Sequence, residues 1–243
     1  MTRPRVVAPP GGWPPPWQLL IEVLGGPGAS GCALVGGLMA QVHAMLAGVT
    51  PHRTTHDVDL LVDVLARRAS VASVVADLRS RGFEAQEPGW PDSPFHRMRR
   101  GVDVVDILVA DHLPRHLGQQ ISGRPVMAIE GGAQALDRLI EVDIADGDEV
   151  ATVTVPDLLG ALVLKAAASA ADNRETGRHL EDAALLAALV TDHAGERARL
   201  RGSDRRRLGR LTARLQDPAH SAWLALGDDL ARRGQDTLRI LAG

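Results

Sequence analysis

The spacing of apolar residues predicts alternating helices and strands in the first part of the chain. PWQLLIEVL (16–24) has helical spacing and ends at a glycine-rich stop, and GLMAQVHAMLAG (37–48) places its larger apolar residues on one face. CALVG (32–36) and HDVDLLVDV (56–64) are apolar and rich in branched residues, which predicts strands. SVASVVADLRSRGF (70–83) predicts an amphipathic helix that ends at a glycine.

The pattern continues in short strands and then changes to helices. Three segments predict further strands: FEAQE, FHRMRR and VDVVDILVA. Four helices in succession are predicted from Pro156 onwards: PDLLGALVLKAAASAA, GRHLEDAALLAALV, SDRRRLGRLTARLQ and SAWLALGDDLARRG. The sequence therefore predicts an α/β fold, of the α+β kind with a mixed sheet, over 16–155 and a helical domain over 156–243. The proline-rich residues 1–15 are predicted to form a flexible tail or an arm on the surface.

The amino-acid composition indicates the cellular compartment in which we expect the protein. The single cysteine, Cys32, excludes an internal disulfide and fits a reducing compartment, so we expect a cytoplasmic protein. No apolar stretch of signal-peptide length precedes the N-terminal prolines. Residues 23–51 carry no charged side chain and are long enough to span a bilayer, but they contain seven glycines as well as Gln41 and His43. We therefore expect no membrane-spanning segment.

The basic residues are unevenly distributed. The net charge is −3, yet residues 196–215 contain eight arginines and two acids. Such a segment can contact phosphates, although a solvated helix face has the same composition. Lys165 is the only lysine among 27 basic residues. It is a candidate for a role that arginine cannot fill, and chance is the alternative.

Two carboxylates interrupt the predicted strand 56–64. Alternate side chains of a strand share a face, so Asp57 and Asp59 point the same way, about 7 Å apart along the strand. Their mutual repulsion is relieved if both face water or if a divalent cation binds between them. Mg²⁺ or Mn²⁺ suits such hard oxygen ligands. A third acid from VDVVDILVAD would complete a site for phosphoryl or nucleotidyl transfer, with Asp106 preferred and Asp103 as the alternative.

Two glycine motifs precede these acids. Gly36 and Gly37 lie between a predicted strand and a predicted helix, where backbone N–H groups can bind phosphate, although a tight turn would also explain them. GPGASG (26–31) matches the G-x-G-x-x-G pattern of dinucleotide-binding Rossmann folds. That interpretation requires one helix over 29–48 with three glycines in its first half, which is unfavourable.

Four segments, in this order, resemble the nucleotidyltransferase superfamily and, more narrowly, the AbiEii-like toxins of type IV toxin–antitoxin systems. They are VGGLMAQVH, RTTHDVDLLV, VVDILVAD and LVLKAAASAADNRETGRHLEDAALL. The resemblance covers about residues 30–190. It implies a DNA polymerase β-like nucleotidyltransferase core followed by the helical domain. It also implies a metal-dependent enzyme that moves a nucleotide from an NTP to an acceptor, which is tRNA in some related toxins.

The resemblance also implies roles for the strand acids and the glycine pair. Gly36 and Gly37 would cradle the triphosphate, and Asp57 and Asp59 would hold the metal ions. Asp106 would match the third acid of the family.

Further roles are implied for the loop before the acids and for the helical domain. Lys165 matches an active-site lysine of such toxins, and Asp182 matches an acid further along. The chain departs from many relatives by having Arg178 and His179 where they have a Lys-Asp pair. Arg53 is expected to brace its loop or to contact phosphate, and Lys165 is expected to face the strand acids or the phosphates.

We therefore expect a nucleotidyltransferase toxin whose partners are an NTP, an RNA acceptor such as tRNA and a cognate antitoxin. The arginines of 196–215 favour RNA over the first alternative, a nucleotidyltransferase that modifies a small molecule such as an antibiotic. The Rossmann-type dinucleotide-binding protein is the second alternative. A binding module that has lost catalysis is the third, and the three acids, Asp57, Asp59 and Asp106, argue against it.

Overall fold

The structure, a computed structural model, describes residues 3–51, 53–66, 70–90, 93–117, 119–171 and 176–243. The chain divides into two units. The first unit comprises Met1–Met39 and Thr54–Pro156, and the second comprises Ala40–Arg53 and Asp157–Gly243.

The sequence predicted a boundary near residue 155. In the structure the second unit resumes at Asp157, and it also includes residues 40–53. The reason is their packing. Ala44 belongs to an apolar cluster with Leu185 and Leu189, against which Val49 also packs.

The first unit has mixed α/β structure. Its strands are β1 (Arg5–Val7), β2 (Cys32–Val35), β3 (Asp57–Val62), β4 (Glu84–Ala85), β5 (Arg97–Arg100), β6 (Asp103–Ala110), β7 (Gln120–Ile121), β8 (Arg124–Pro125), β9 (Ala128–Ile129), β10 (Leu139–Asp146) and β11 (Glu149–Pro156). Its helices are α1 (Pro15–Leu24), the beginning of α2 (Gly36–Leu46), α3 (Val71–Ser80) and α4 (Gly132–Leu136). The helices and strands predicted before residue 110 all form, with ends that differ by a few residues.

The main sheet has the strand order β2–β3–β6–β5–β4, and β9 pairs with β6. Strands β3 and β6 are parallel, whereas β2 pairs antiparallel with β3 and β5 pairs antiparallel with β6. The alternation in β3 buries Val58 and Leu60 and leaves Asp57 and Asp59 half-buried on the other face. This arrangement brings the acids of β3 beside those of β6.

The N-terminal residues do not form the flexible tail that their prolines suggested. Strand β1 pairs in parallel with β10, at the edge of a second sheet with the order β1–β10–β11. Trp13 is buried, stacks on Trp17 with 4.5 Å between ring centroids and donates from Nε1 to the carbonyl of Ala145. The flexible-tail prediction was wrong because Val6 and Trp13 have apolar surface that the sheet buries.

The second unit consists of helices. After the end of α2 they are α5 (Leu158–Ala171), α6 (Thr176–Leu189), α7 (His193–Ala198), α8 (Asp204–Arg214), α9 (Ser221–Leu224) and α10 (Asp228–Ala242). Helices α5, α6 and α8 were predicted, whereas α7 was not. Helix α5 is buried along most of its length because its residues are small or apolar.

The last predicted helix, 221–234, is interrupted in the structure. Helix α9 ends at Leu224, and α10 begins at Asp228. Gly227 between them has a φ of 76°, a left-handed conformation that breaks a helix. Asp228 and Asp229 then lie in the first turn of α10, where the helix dipole stabilises negative charge.

The uncharged segment 23–51 does not form one long helix. It contains the end of α1, strand β2 and helix α2. Among the helices in the described part of the chain, none has the length and apolar character that crossing a bilayer requires.

Candidate active site

Three aspartates meet on neighbouring strands of the main sheet. Asp57 and Asp59 project from the same face of β3, and Asp59 lies directly opposite Asp106 in the parallel pairing of β3 with β6. One carboxylate oxygen from each of the three lies within 4.8 Å of the others. We call Asp57, Asp59 and Asp106 the aspartate cluster.

The geometry distinguishes between the two candidates for the third acid. Asp106 belongs to the cluster and is 7% exposed. Asp103 lies three residues earlier on β6 and instead accepts two hydrogen bonds from Arg100, at 3.0 and 3.2 Å. Arg100 also bonds Glu22 and lies over the ring of Phe83, so these contacts hold Asp103 in a separate network.

A guanidinium from the adjacent strand contacts the cluster. Arg97 of β5 lies opposite Asp106 of β6. It donates from Nε to Oδ1 at 2.8 Å and from Nη2 to Oδ2 at 2.7 Å, and Nη2 is 3.9 Å from a carboxylate oxygen of Asp57. The bonds to Asp106, together with the charges of Asp57 and Asp59, raise the pKa of Arg97 above its ordinary value. Arg97 is therefore charged whenever the cluster is ionised.

The sequence analysis did not identify Arg97. A signal was present, because FHRMRR places Arg97 and Arg99 on one face of a strand, but nothing in the sequence gives the register that pairs Arg97 with Asp106. A second polar contact, from the Thr55 hydroxyl to Oδ1 of Asp57 at 2.9 Å, fixes the carboxylate at the start of β3.

Gly36 allows one of these acids to approach the backbone closely. Its φ is 69°, and a Cβ built on it would lie 1.7 Å from Oδ2 of Asp59. Any larger residue would therefore displace the Asp59 carboxylate, so glycine is required here on steric grounds. Gly37 is buried in the first turn of α2. The sequence predicted that both glycines cradle a triphosphate, and the structure places a cluster carboxylate against the first of them.

The aspartate cluster fits a divalent metal ion of the hard kind. Its donors are carboxylate oxygens, which Mg²⁺ and Mn²⁺ prefer, and they converge from two rigid strands. Asp57 and Asp59 are half-buried rather than enclosed, which leaves room for phosphate oxygens on an ion held there. Asp57, Asp59 and Asp106 would be its protein ligands.

A second charged cluster lies within the helical unit. Lys165 of α5 is 4% exposed, and its Nζ is 2.6 Å from Oδ2 of Asp182 on α6. Arg53 donates to both carboxylate oxygens of Asp182, at 2.9 to 3.2 Å. Gln41 in turn donates to the carbonyl of Arg53 at 2.9 Å. We call Lys165, Asp182 and Arg53 the buried ion triad.

The triad explains how a lone lysine is tolerated in an apolar helix. Burial alone would raise the pKa of Asp182, but the charges of Lys165 and Arg53 outweigh it and hold that pKa below its ordinary value. Asp182 is therefore an anion at neutral pH. From the sequence, Lys165 was expected to face the strand acids or the phosphates. In the structure, the carboxylate that it contacts is that of Asp182. Arg53, which was expected to brace its loop or to contact phosphate, forms its ion pair with Asp182.

Residues 196–215 do not form a uniform basic surface. Several arginines of the segment bind other parts of the unit: Arg197 donates to the Ile240 carbonyl, Arg199 to Glu196 and Asp157, and Arg214 to the Ser169 carbonyl. Arg207 is only 4% exposed and faces the interior, which the sequence analysis did not predict. Arg205, Arg206 and Arg210 are exposed on α8 and form what we call the arginine face.

One other function suggested by the sequence does not match the structure. The GPGASG motif contains a short 3-10 turn, Pro27–Ala29, and is followed by strand β2 rather than by a helix. The Rossmann alternative is therefore wrong, and Gly28 instead makes room for Asp77, whose Cβ would lie 2.6 Å from an added Cβ. Cys32 is buried, and burial raises the pKa of its thiol to about 12, which makes it a poor nucleophile.

Comparisons with known proteins give little beyond this geometry. No protein-family model matches the chain, and no curated protein sequence matches it. The chain is similar to the crystal structure of an antigenic nucleotidyltransferase-like protein from Paracoccidioides brasiliensis, with 14% identity and a TM-score of 0.43. The similarity covers 79% of this chain and 83% of that one. A similarity of this extent leaves the function to be argued from the site itself.

Proposed function

We propose that this chain is a metal-dependent nucleotidyltransferase with a DNA polymerase β-like core and a C-terminal helical domain. The observation that carries the proposal is the aspartate cluster, in which one oxygen each of Asp57, Asp59 and Asp106 lies within 4.8 Å of the others. Three carboxylates held this close repel one another, and that cost is offset when they share a divalent cation.

The residues around the cluster fit this chemistry. A bound Mg²⁺ or Mn²⁺ supplies positive charge opposite the phosphate oxygens, where negative charge develops during transfer. The three aspartates would hold the ion, while Thr55 orients Asp57 and Gly36 leaves space for the Asp59 carboxylate. In the reaction, an acceptor hydroxyl oxygen bonds to the α-phosphorus of the NTP and its proton passes to solvent. The bond to the β-phosphate breaks, and pyrophosphate leaves with the electron pair.

The acceptor that we propose is RNA, and specifically tRNA. The support is the arginine face of α8, where Arg205, Arg206 and Arg210 are exposed, because phosphate backbones are bound through such groups. The resemblance of four sequence segments to AbiEii-like toxins agrees with this acceptor. It also leads us to propose a type IV toxin–antitoxin system with a cognate antitoxin as the setting.

The proposal is tested by label transfer. The protein is incubated with Mg²⁺, total RNA and each α-labelled NTP, and label is followed in the tRNA and in small-molecule fractions. Asp106→Asn should lower transfer by about two orders of magnitude, the size of effect seen when one charge-stabilising group is removed from an active site. Asp103→Asn, on the same strand but outside the cluster, is the matched control and should retain most activity.

Three outcomes would count against parts of the proposal. An equal loss of transfer activity in the two variants would show that the aspartate cluster has no specific role in the reaction. Label in a small molecule rather than in tRNA would replace the acceptor but keep the enzyme class. The toxin role would be contradicted if bacteria that express the wild type grew without harm and as fast as bacteria that express Asp59→Asn.

A further inference from the structure

The charge balance of the aspartate cluster suggests a role for Arg97, and this inference rests on the metal site of the proposed function. Asp106 gives both of its carboxylate oxygens to the Arg97 guanidinium, at 2.7 and 2.8 Å. The same guanidinium is 3.9 Å from Asp57. One cation therefore contacts two of the three carboxylates that would hold the metal ion.

Arg97 does not need the cluster for its own burial. Its side chain is 33% exposed, so the guanidinium can be hydrated where it stands. Asp106 has the greater need, because only 9% of its side chain is exposed and a buried carboxylate without a cation is costly. The contact thus serves the acid more than the arginine.

We propose that Arg97 is a resident counter-ion of the aspartate cluster, which keeps the three carboxylates together without a metal ion and lowers their affinity for one. The four side chains together carry two negative charges, where the carboxylates alone would carry three. A divalent ion that binds to Asp106 must share it with the guanidinium. Arg97 is in this sense a positioning residue, and its effect is to keep the metal ion exchangeable.

The size of the effect follows from the charges. For an assumed separation of about 5 Å, the repulsion between a divalent cation and the guanidinium would weaken binding by about tenfold, even at the dielectric constant of water. A lower effective dielectric constant at the half-buried site makes the effect larger. Removal of the charge should therefore tighten metal binding rather than weaken it.

The experiment measures binding of Mn²⁺ alone, without nucleotide, from the electron paramagnetic resonance signal of the free ion. Arg97→Met removes the charge and keeps a long, unbranched side chain, whereas Arg97→Lys keeps the charge and loses the two-point contact. Arg99→Met is the matched control, since Arg99 lies on the same face of β5, is exposed and donates to the Gly101 carbonyl rather than to the cluster. We expect Arg97→Met to bind Mn²⁺ about tenfold more tightly or better, with Arg97→Lys and Arg99→Met within about threefold of wild type.

A second readout covers a loss of folding. Without metal, Arg97→Met should melt at a lower temperature than wild type because three carboxylates repel one another, and Mn²⁺ should raise its melting temperature more than that of wild type. Arg97→Met with wild-type Mn²⁺ affinity, or with weaker affinity, would overturn the inference and leave the metal site standing. If wild type bound no Mn²⁺ and Asp106→Asn gave the same result, the metal site and the inference would be overturned together.

Discussion

Replacement of Lys165 by methionine tests the buried ion triad most directly. Methionine matches the length of the lysine stem and fills irregular apolar space, so the change leaves little cavity in α5. What it removes is the ammonium 2.6 Å from Asp182, which leaves that buried carboxylate with Arg53 as its cation.

The magnitude follows from the remaining contacts. Loss of one partner from a buried ion pair costs about 3–5 kcal/mol when the other charge is left uncompensated. Arg53 still donates three hydrogen bonds to Asp182, so we expect the lower part of that range or slightly less, about 2–3 kcal/mol. Asp182→Asn should cost at least as much, because it leaves two cations facing a neutral amide.

The assay is urea unfolding followed by circular dichroism at 222 nm, for Lys165→Met, Asp182→Asn and the double variant. Because the two changes touch one contact, the double variant should lose less than the sum of the single losses. Arg232→Met is the control: Arg232 pairs with Asp229 on the exposed surface of α10, and its loss should cost less than about 0.5 kcal/mol. A Lys165→Met protein as stable as this control would refute the reasoning, as would strictly additive losses.

Three further predictions concern pH, salt and the glycine beside the cluster. The pKa of Asp182 is lowered on folding, so its stabilising effect is complete above the unfolded-state pKa of about 3.9 and is lost as the pH falls through the lower folded-state pKa. The difference in free energy of unfolding between wild type and Asp182→Asn, measured from denaturation curves, should therefore narrow below about pH 4. Replacing Arg206 and Arg210 together by alanine should weaken tRNA binding and reduce the slope of log affinity against log salt by about 1.4–1.8, and an unchanged slope in filter-binding measurements would show that this face does not bind RNA. Gly36→Ala should abolish Mn²⁺ binding because its Cβ displaces Asp59. The control is Gly48→Ala: Gly48 has a φ of 70° and open space around it, so this variant should have only the backbone strain of about 1 kcal/mol and should still bind Mn²⁺. Equal Mn²⁺ affinity in the two variants would contradict the steric argument.

The sequence carried enough information for the local part of the site. The alternation of HDVDLLVDV fixes which face of β3 bears Asp57 and Asp59, because a strand has a period of two residues. The run from Val104 to Val109, apolar except for Asp106, favoured Asp106 over Asp103 as the third acid, and the structure places Asp106 in the aspartate cluster.

What the sequence could not supply are contacts between distant segments. Arg97 meets Asp106 only through the register of β5 on β6. The buried ion triad joins residues 129 positions apart, and periodicity within any one helix carries no trace of that contact. Arg207 likewise follows the exposed Arg206 directly in the sequence, yet it is buried in the packing of α8.

The pairing of β1 with β10 affects how the chain folds during its synthesis on the ribosome. Arg3 bonds Glu141, 138 residues further along the chain, and Val6 is buried by a strand that does not yet exist when β1 emerges. At synthesis rates of about 5–20 residues per second, β1 waits roughly 7–28 seconds for its partner. During that interval an apolar, unpaired strand edge is open to solvent and to other nascent chains. Strand β1 can thus pair with β10 only after the intervening residues have been made.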